Sequence, residues 1–173
     1  MKHIWTPWRY DYVTSGTKAG GCVLCSALEG ADREDSLVVH VAPLCFVVMN
    51  RFPYNAGHVM VAPRRHVGSL GDATYEELAE TMTLARRLEQ VFAEVYNPDG
   101  VNIGMNLGRS AGAGVADHIH LHLVPRWSGD TNFMTVFGET RVIPEEPARS
   151  RARLRPYFEA ATSPARPAGP DRR

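Results

Sequence analysis

The chain has 173 residues, 44% of them hydrophobic, with 19 basic and 19 acidic side chains and a formal net charge of zero. That length suits one domain with a sizeable core, and the balanced charge removes any global case for binding a nucleic acid polymer or a membrane surface, so a phosphate site must be local. No stretch approaches the roughly eighteen consecutive apolar residues of a membrane helix, and the start, Met1-Lys2-His3-Ile4-Trp5, lacks the apolar core of a signal peptide, so a cytoplasmic location is expected.

Residues 1–21 carry aromatic residues and prolines without a clear period and read as an extended arm, packed on the domain or on a second subunit. Cys22-Val23-Leu24-Cys25 follows, and its two-residue gap lets both thiolates reach one tetrahedral ion. A redox pair and two unrelated thiols are the alternatives. Three cysteines in a reducing compartment argue against a disulfide framework, and Cys45, inside an apolar run, reads as a small buried hydrophobe. Apolar runs at 37–41, 45–50 and 58–62 are separated by Pro43 and by Pro53-Tyr54-Asn55-Ala56-Gly57, which predicts strands of an antiparallel meander. Asp72 or Thr74 caps a helix running to about Tyr96, with Leu78, Met82, Ala85, Leu88 and Phe92 on its apolar face, and Asn97-Pro98-Asp99-Gly100 stops it.

Strands at 101–106 and 118–124 come next, joined by a glycine-rich loop at 108–114. Residues 149–160 read as a short helix, and residues 161–173, rich in Pro, Ala and Arg, as a disordered tail. Strand runs with one long helix indicate a single α+β domain over 1–160.

The richest stretch is His118-Ile119-His120-Leu121-His122-Leu123-Val124. A strand's side-chain period of two places His118, His120 and His122 on one face and Ile119, Leu121 and Leu123 on the other. Three imidazoles together suit a phosphate or a metal; the plain alternative is a solvated strand face. By the same parity Asp117 points away, which leaves a metal-activated water without a carboxylate base beside the triad.

The run H-I-H-L-H-L-V resembles the signature of the histidine triad superfamily of nucleotide hydrolases and transferases. The likeness extends through M-N-R-F-P-Y-N-A-G-H-V-M-V-A-P-R-R-H at 49–66 and N-I-G-M-N-L-G at 102–108. I-W-T-P-W-R near the start and H-L-V-P-R-W-S-G-D-T-N-F-M after the triad are most similar to the branch of bacterial diadenosine tetraphosphate phosphorylases and their hydrolase relatives. The resemblance implies an antiparallel sheet of about five strands with the long helix packed on it, and a homodimer or higher homo-oligomer. It also implies cleavage of dinucleoside polyphosphates such as diadenosine tetraphosphate, with water or phosphate as acceptor.

Carried over position by position, it makes His120 the nucleophile that forms a covalent nucleotidyl intermediate and His122 the donor to a phosphate or bridging oxygen. It gives Asn106 a contact to phosphate and Asn50 one to a ribose hydroxyl, while Trp127 lines the phosphate end of the pocket. It completes a structural zinc site on Cys22 and Cys25 with His66 and His118. From the residues themselves, Phe46 and Phe52 are candidate clamps for a purine, and the loop amides around Gly112 and Gly114 can approach a polyphosphate. Gly114 departs from the family, where many relatives carry Gln or Ser toward the leaving group. His58, in the Gly-His-Val position, is expected to support the sheet. The competing functions are a metal-dependent hydrolase with the three histidines as ligands and a nucleotide-binding protein without catalysis.

Overall fold

The computed structural model describes residues 21–130 and 145–159. The expected arm apart from Gly21, the T-N-F-M end of the post-triad motif and the expected tail lie outside the described residues. Five strands form one antiparallel sheet: β1 (Val38–Val41), β2 (Cys45–Met49), β3 (Val59–Pro63), β4 (Gly100–Met105) and β5 (Leu121–Arg126). Their order across the sheet is β1-β2-β3-β5-β4. The helices are α1 (Val23–Glu29), α2 (Tyr75–Val95), α3 (Pro147–Leu154) and the single turn α4 (Pro156–Glu159). The expected C-terminal helix is thus two pieces, because Pro156 supplies no N–H and opens a new turn. None of the helices is long and apolar enough to cross a membrane.

Alternation sorts the strands into two faces. Val47, Met49, Val59, Val61, Leu121 and Leu123 pack with Leu84, Leu88, Val91 and Phe92 of α2 and with Leu154 of α3 and Phe158 of α4. Phe46, Val48 and Ala62 turn the other way, toward Leu24 of α1, which leaves β2 buried on both sides. Helix α1 was not foreseen; it places Cys22 at its N-terminal boundary and Cys25 one turn further on.

Thr74 rather than Asp72 caps α2, its side chain accepting from the Glu77 N–H while Glu77 accepts from the Thr74 N–H. The buried face of α2 is Glu77, Thr81, Leu84, Ala85, Leu88, Val91 and Phe92, so Ala85, Leu88 and Phe92 fall where expected, while Glu77 and Thr81 take the places expected of Leu78 and Met82. Met82 points outward, 57% exposed. The polar Glu77 and Thr81 disguised the true face. Glu77 is buried because Arg65 pairs with it at 2.8 Å, and Thr81 returns its hydroxyl to the Glu77 carbonyl.

Two departures from regular geometry set up the site. Gly57 has φ +73°, and a Cβ there would lie 2.9 Å from the Tyr96 ring and 3.2 Å from Pro125. Only glycine both turns the chain and fits, which lets His58 enter the interior behind it. The second departure is at β5, which starts at Leu121 rather than at His118. The Ile119 N–H bonds the Val67 carbonyl instead of continuing the β3–β5 ladder. Ladder pairing therefore does not reach His118 and His120, although both stay with His122 on the side away from α2, His118 toward the cysteines at the start of α1 and His120 against His122.

Gly57→Ala is expected to destabilise the fold by about 1–3 kcal/mol, through positive φ and overlap with Tyr96. Urea denaturation checks this; an unchanged midpoint would contradict it.

Candidate active site

The site forms on the sheet face opposite α2, where the cover given by α1 ends. The register pairs His122 with Met60 on one side and with Gly104 on the other. Among the described residues nothing lies within 4 Å of where a Gly104 Cβ would stand, so they leave the space beside His122 on the β4 side open. Met105 pairs with Leu121, which brings Asn106, the next residue, level with His120.

The tautomer of each imidazole follows from its partners. The Tyr54 backbone N–H can only donate, and it reaches His58 Nδ1 at 3.0 Å. That nitrogen is therefore bare. Burial, with His122 and His120 close by, pushes His58 down to about 3, so the neutral ring carries its proton on Nε2. This Nε2–H donates to His122 Nδ1 across 2.9 Å. His122 is pushed down to about 4 by burial and then by His120, so its single proton sits on Nε2. At His120 the order reverses. Its Nδ1 lies 2.8 Å from the His118 carbonyl, which only accepts, so Nδ1 holds the proton and Nε2 keeps its lone pair. Burial holds His120 below its ordinary range as well. The His120 and His122 rings stand edge to face, 4.7 Å apart. A neutral nucleophilic nitrogen beside a neutral N–H donor is what attack on a phosphorus centre requires.

His118 goes elsewhere. Its Nε2 donates to the Pro63 carbonyl at 2.8 Å, which bares Nδ1 toward Cys22 Sγ at 3.3 Å and Cys25 Sγ at 3.6 Å. His66 Nδ1 lies 3.4 Å from Cys25 Sγ, and ligand atoms of all four residues fall within 4.8 Å of one another. The sulfur-to-nitrogen edge of a zinc tetrahedron, from Zn–S of about 2.3 Å and Zn–N of about 2.05 Å, is about 3.6 Å. The donor set and spacing fit such an ion. The Pro63 carbonyl supplies the outer hydrogen bond that metal-binding imidazoles use. Burial, then the neighbouring Cys22, raise the Cys25 thiol above its ordinary range, a cost that a cation relieves.

The expected nucleotide residues fare unequally. Asn50 Oδ1 accepts from the Phe52 N–H at 2.9 Å, the turn-forming bond expected of such an Asn, and its amide nitrogen sits 3.4 Å from His58 Nε2. Phe52 is partly exposed beside it. Phe46 is a correction: it lies on the site's face of the sheet but is 0% exposed beneath Leu24 of α1, so its ring has no free surface for a base. Asn106 is partly buried at the end of β4. Gly112 has φ +87° at the end of a single 3-10 turn over Arg109–Ala111, and Gly114 is exposed in the same loop. Trp127 packs edge-on against Tyr96, ring centroids 6.2 Å apart, as a structural residue would. His58 does more than support the sheet, since it orients His122. Tyr54 was missed, because nothing in the sequence separates an aromatic in a turn from one stacked over a pair of histidines.

A HIT domain family model matches residues 32–129. The chain belongs to the histidine triad family. Among its relatives, the AP-4-A phosphorylase of Mycobacterium tuberculosis is 39% identical over 152 residues, which is 84% of this chain and 78% of that protein. A bis(5'-adenosyl)-triphosphatase of Dictyostelium discoideum is 32% identical, over 72% of this chain and 87% of its own length. A zinc-bound histidine triad protein from Mycobacterium smegmatis superposes with a TM-score of 0.65 at 28% identity, covering 80% of this chain and 94% of its own.

Because His58 and His122 stay neutral in the fold to about 3 and about 4, the unfolded chain, whose histidines titrate near 6.5, takes up protons first as pH falls. Their contribution is complete above about pH 6.5 and is lost as pH drops toward those folded values. Stability in urea is expected to fall by about 2–4 kcal/mol between pH 7 and pH 5, and His58→Gln to shrink that loss. A flat profile would contradict the neutral pair.

Proposed function

We propose that the chain cleaves dinucleoside polyphosphates by way of a covalent nucleotide on His120. The AP-4-A phosphorylase and the bis(5'-adenosyl)-triphosphatase named above are enzymes of the histidine triad family acting on such substrates, and the chain is an enzyme of that family. The observation that carries the mechanism is the opposed tautomer pair, a bare Nε2 on His120 beside an Nε2–H on His122. In the first step His120 Nε2 forms a bond to the α-phosphorus. The bond from that phosphorus to the bridging oxygen breaks, and His122 Nε2–H donates to the departing oxygen. In the second step water or inorganic phosphate attacks the same phosphorus and frees His120. With diadenosine tetraphosphate the first product is ATP; water makes the second AMP, and phosphate makes it ADP.

Asn106, level with His120, is suited to donate to a nonbridging oxygen, and Asn50 and Phe52 stand at the nucleoside end. Arg109, Ser110 and the loop amides near Gly112 and Gly114 are suited to hold distal phosphates or an anionic acceptor. The reading with three histidines on one catalytic metal is disfavoured, because both His118 ring nitrogens are committed, one to Pro63 and one toward the cysteines. Zinc on Cys22, Cys25, His66 and His118 would act as a structural cross-link between α1, the segment after β3 and the start of the triad. A homo-oligomer and a cytoplasmic location complete the proposal.

His120→Ala is expected to lower turnover at least 1,000-fold while nucleotide binding persists. His120→Gly with added imidazole is expected to recover part of it. Products from diadenosine tetraphosphate, run with and without inorganic phosphate, separate the acceptors. Phosphate-dependent ADP identifies a phosphorylase, AMP under both conditions a hydrolase, and a covalent adduct found on another residue would overturn the role given to His120.

Cys22→Ser is expected to abolish zinc retention, measured by elemental analysis, and to lower the melting temperature by several degrees, since structural metal binding adds directly to folding free energy. Molecules that remain folded should keep most of their turnover. Wild-type protein purified without chelator and lacking zinc would rule the site out.

A further inference from the structure

We infer that Tyr54 is a positioning residue for the proposed reaction: its ring caps the His58–His122 pair and its backbone amide sets the tautomer that makes His122 a donor. The inference rests on the function proposed above and adds a residue to it. Tyr54 follows Pro53 in the turn between β2 and β3. Although 48% exposed, its ring lies 4.6 Å from the His58 ring and 5.9 Å from the His122 ring, inclined by only 27° to the latter. The same residue's N–H is the donor to His58 Nδ1. One residue therefore fixes the far nitrogen of His58 and shields the hydrogen bond that passes the arrangement on to His122.

The physics of the cap is local exclusion of water. A hydrogen bond between two neutral imidazoles keeps one direction only while neither nitrogen finds a competing partner. Without the ring, water can donate or accept at the exposed edge of the pair. His122 is then free to hold its proton on Nδ1, leaving Nε2 bare. In that form it cannot donate to a departing oxygen, and its lone pair faces one. The titratable groups bearing on the pair are the two rings themselves and His120. Asn50, at the start of the same turn, adds only a neutral amide.

The test compares Tyr54→Ala, Tyr54→Leu and Tyr54→Phe with the wild type. Long-range 1H–15N NMR of the free protein reports each histidine tautomer, and steady-state kinetics across pH report the consequence. In Tyr54→Ala, His122 should leave the pure Nε2–H form while His120 keeps its Nδ1–H. Its kcat should fall about tenfold or more with KM within about threefold, and its acid limb should move to higher pH. Tyr54→Leu keeps apolar bulk if the alanine variant fails to fold, and should fall between. Tyr54→Phe keeps the ring and should rescue both the tautomer and the rate. An unchanged His122 tautomer in Tyr54→Ala and Tyr54→Leu overturns the inference. So does a Phe variant as impaired as the Ala variant, which would assign the role to the hydroxyl, or a rise in KM alone, which would assign the ring to substrate binding. The NMR measurement needs no substrate, so a wild-type protein inactive on dinucleoside polyphosphates would refute the proposed function and leave the tautomer result to be read separately.

Discussion

The His118 carbonyl fixes the tautomer of His120, the residue proposed as nucleophile. By accepting from His120 Nδ1 it leaves the lone pair on Nε2. The carbonyl is held because the His118 side chain is tied at both ends, to the Pro63 carbonyl at the end of β3 and toward Cys22 and Cys25 at the start of α1. The same residue thus belongs to the Cys-His cluster suited to a metal through its ring and to the proposed reaction centre through its backbone. Under the proposed function, stability and chemistry meet at this one position.

Burial then decides protonation. His58, His118 and His120 are at most 4% exposed, and among groups this close a charged imidazole would be stripped of water and set against its neighbours. The fold answers by keeping the rings neutral and sorting their protons with hard donors and acceptors, a backbone N–H at Tyr54 and carbonyls at Pro63 and His118. Neutral imidazoles approach an anionic phosphate with directed lone pairs and N–H groups, which a cluster of cations could not maintain.

The sheet itself supplies the location. Helix α2 claims one face with a continuous apolar contact, and α1 covers only the β1–β3 portion of the other. The remaining strip, with His122 between Met60 and Gly104, stays accessible because β4 presents a glycine there. Phe46 shows the boundary from the inside. It shares that face, but α1 has already closed over it.

Much of this was legible in the chain. Alternating apolar runs gave β2 and β3 nearly to the residue, Thr74 with Glu77 marked the start of α2, and Asn97, with φ +44°, ended it as the Asn-Pro-Asp-Gly signal implied. The H-x-H-x-H pattern and the Cys-x-x-Cys gap named the chemical groups, because composition and spacing are properties of a local string. Which histidine served which task was not local. Strand parity grouped the three imidazoles on one side of the sheet without separating their tasks; the hydrogen bond from Ile119 to Val67, far away in sequence, delays the strand, and the cysteines that His118 faces come from the start of α1. The first turns of the α2 stripe were misplaced for the same reason, since burial of Glu77 needs Arg65 from the segment after β3. The residue types were written in the sequence; their tautomers and partners came from contacts between segments that only packing brings together, since a proton's position on an imidazole is set by what stands beside it in space.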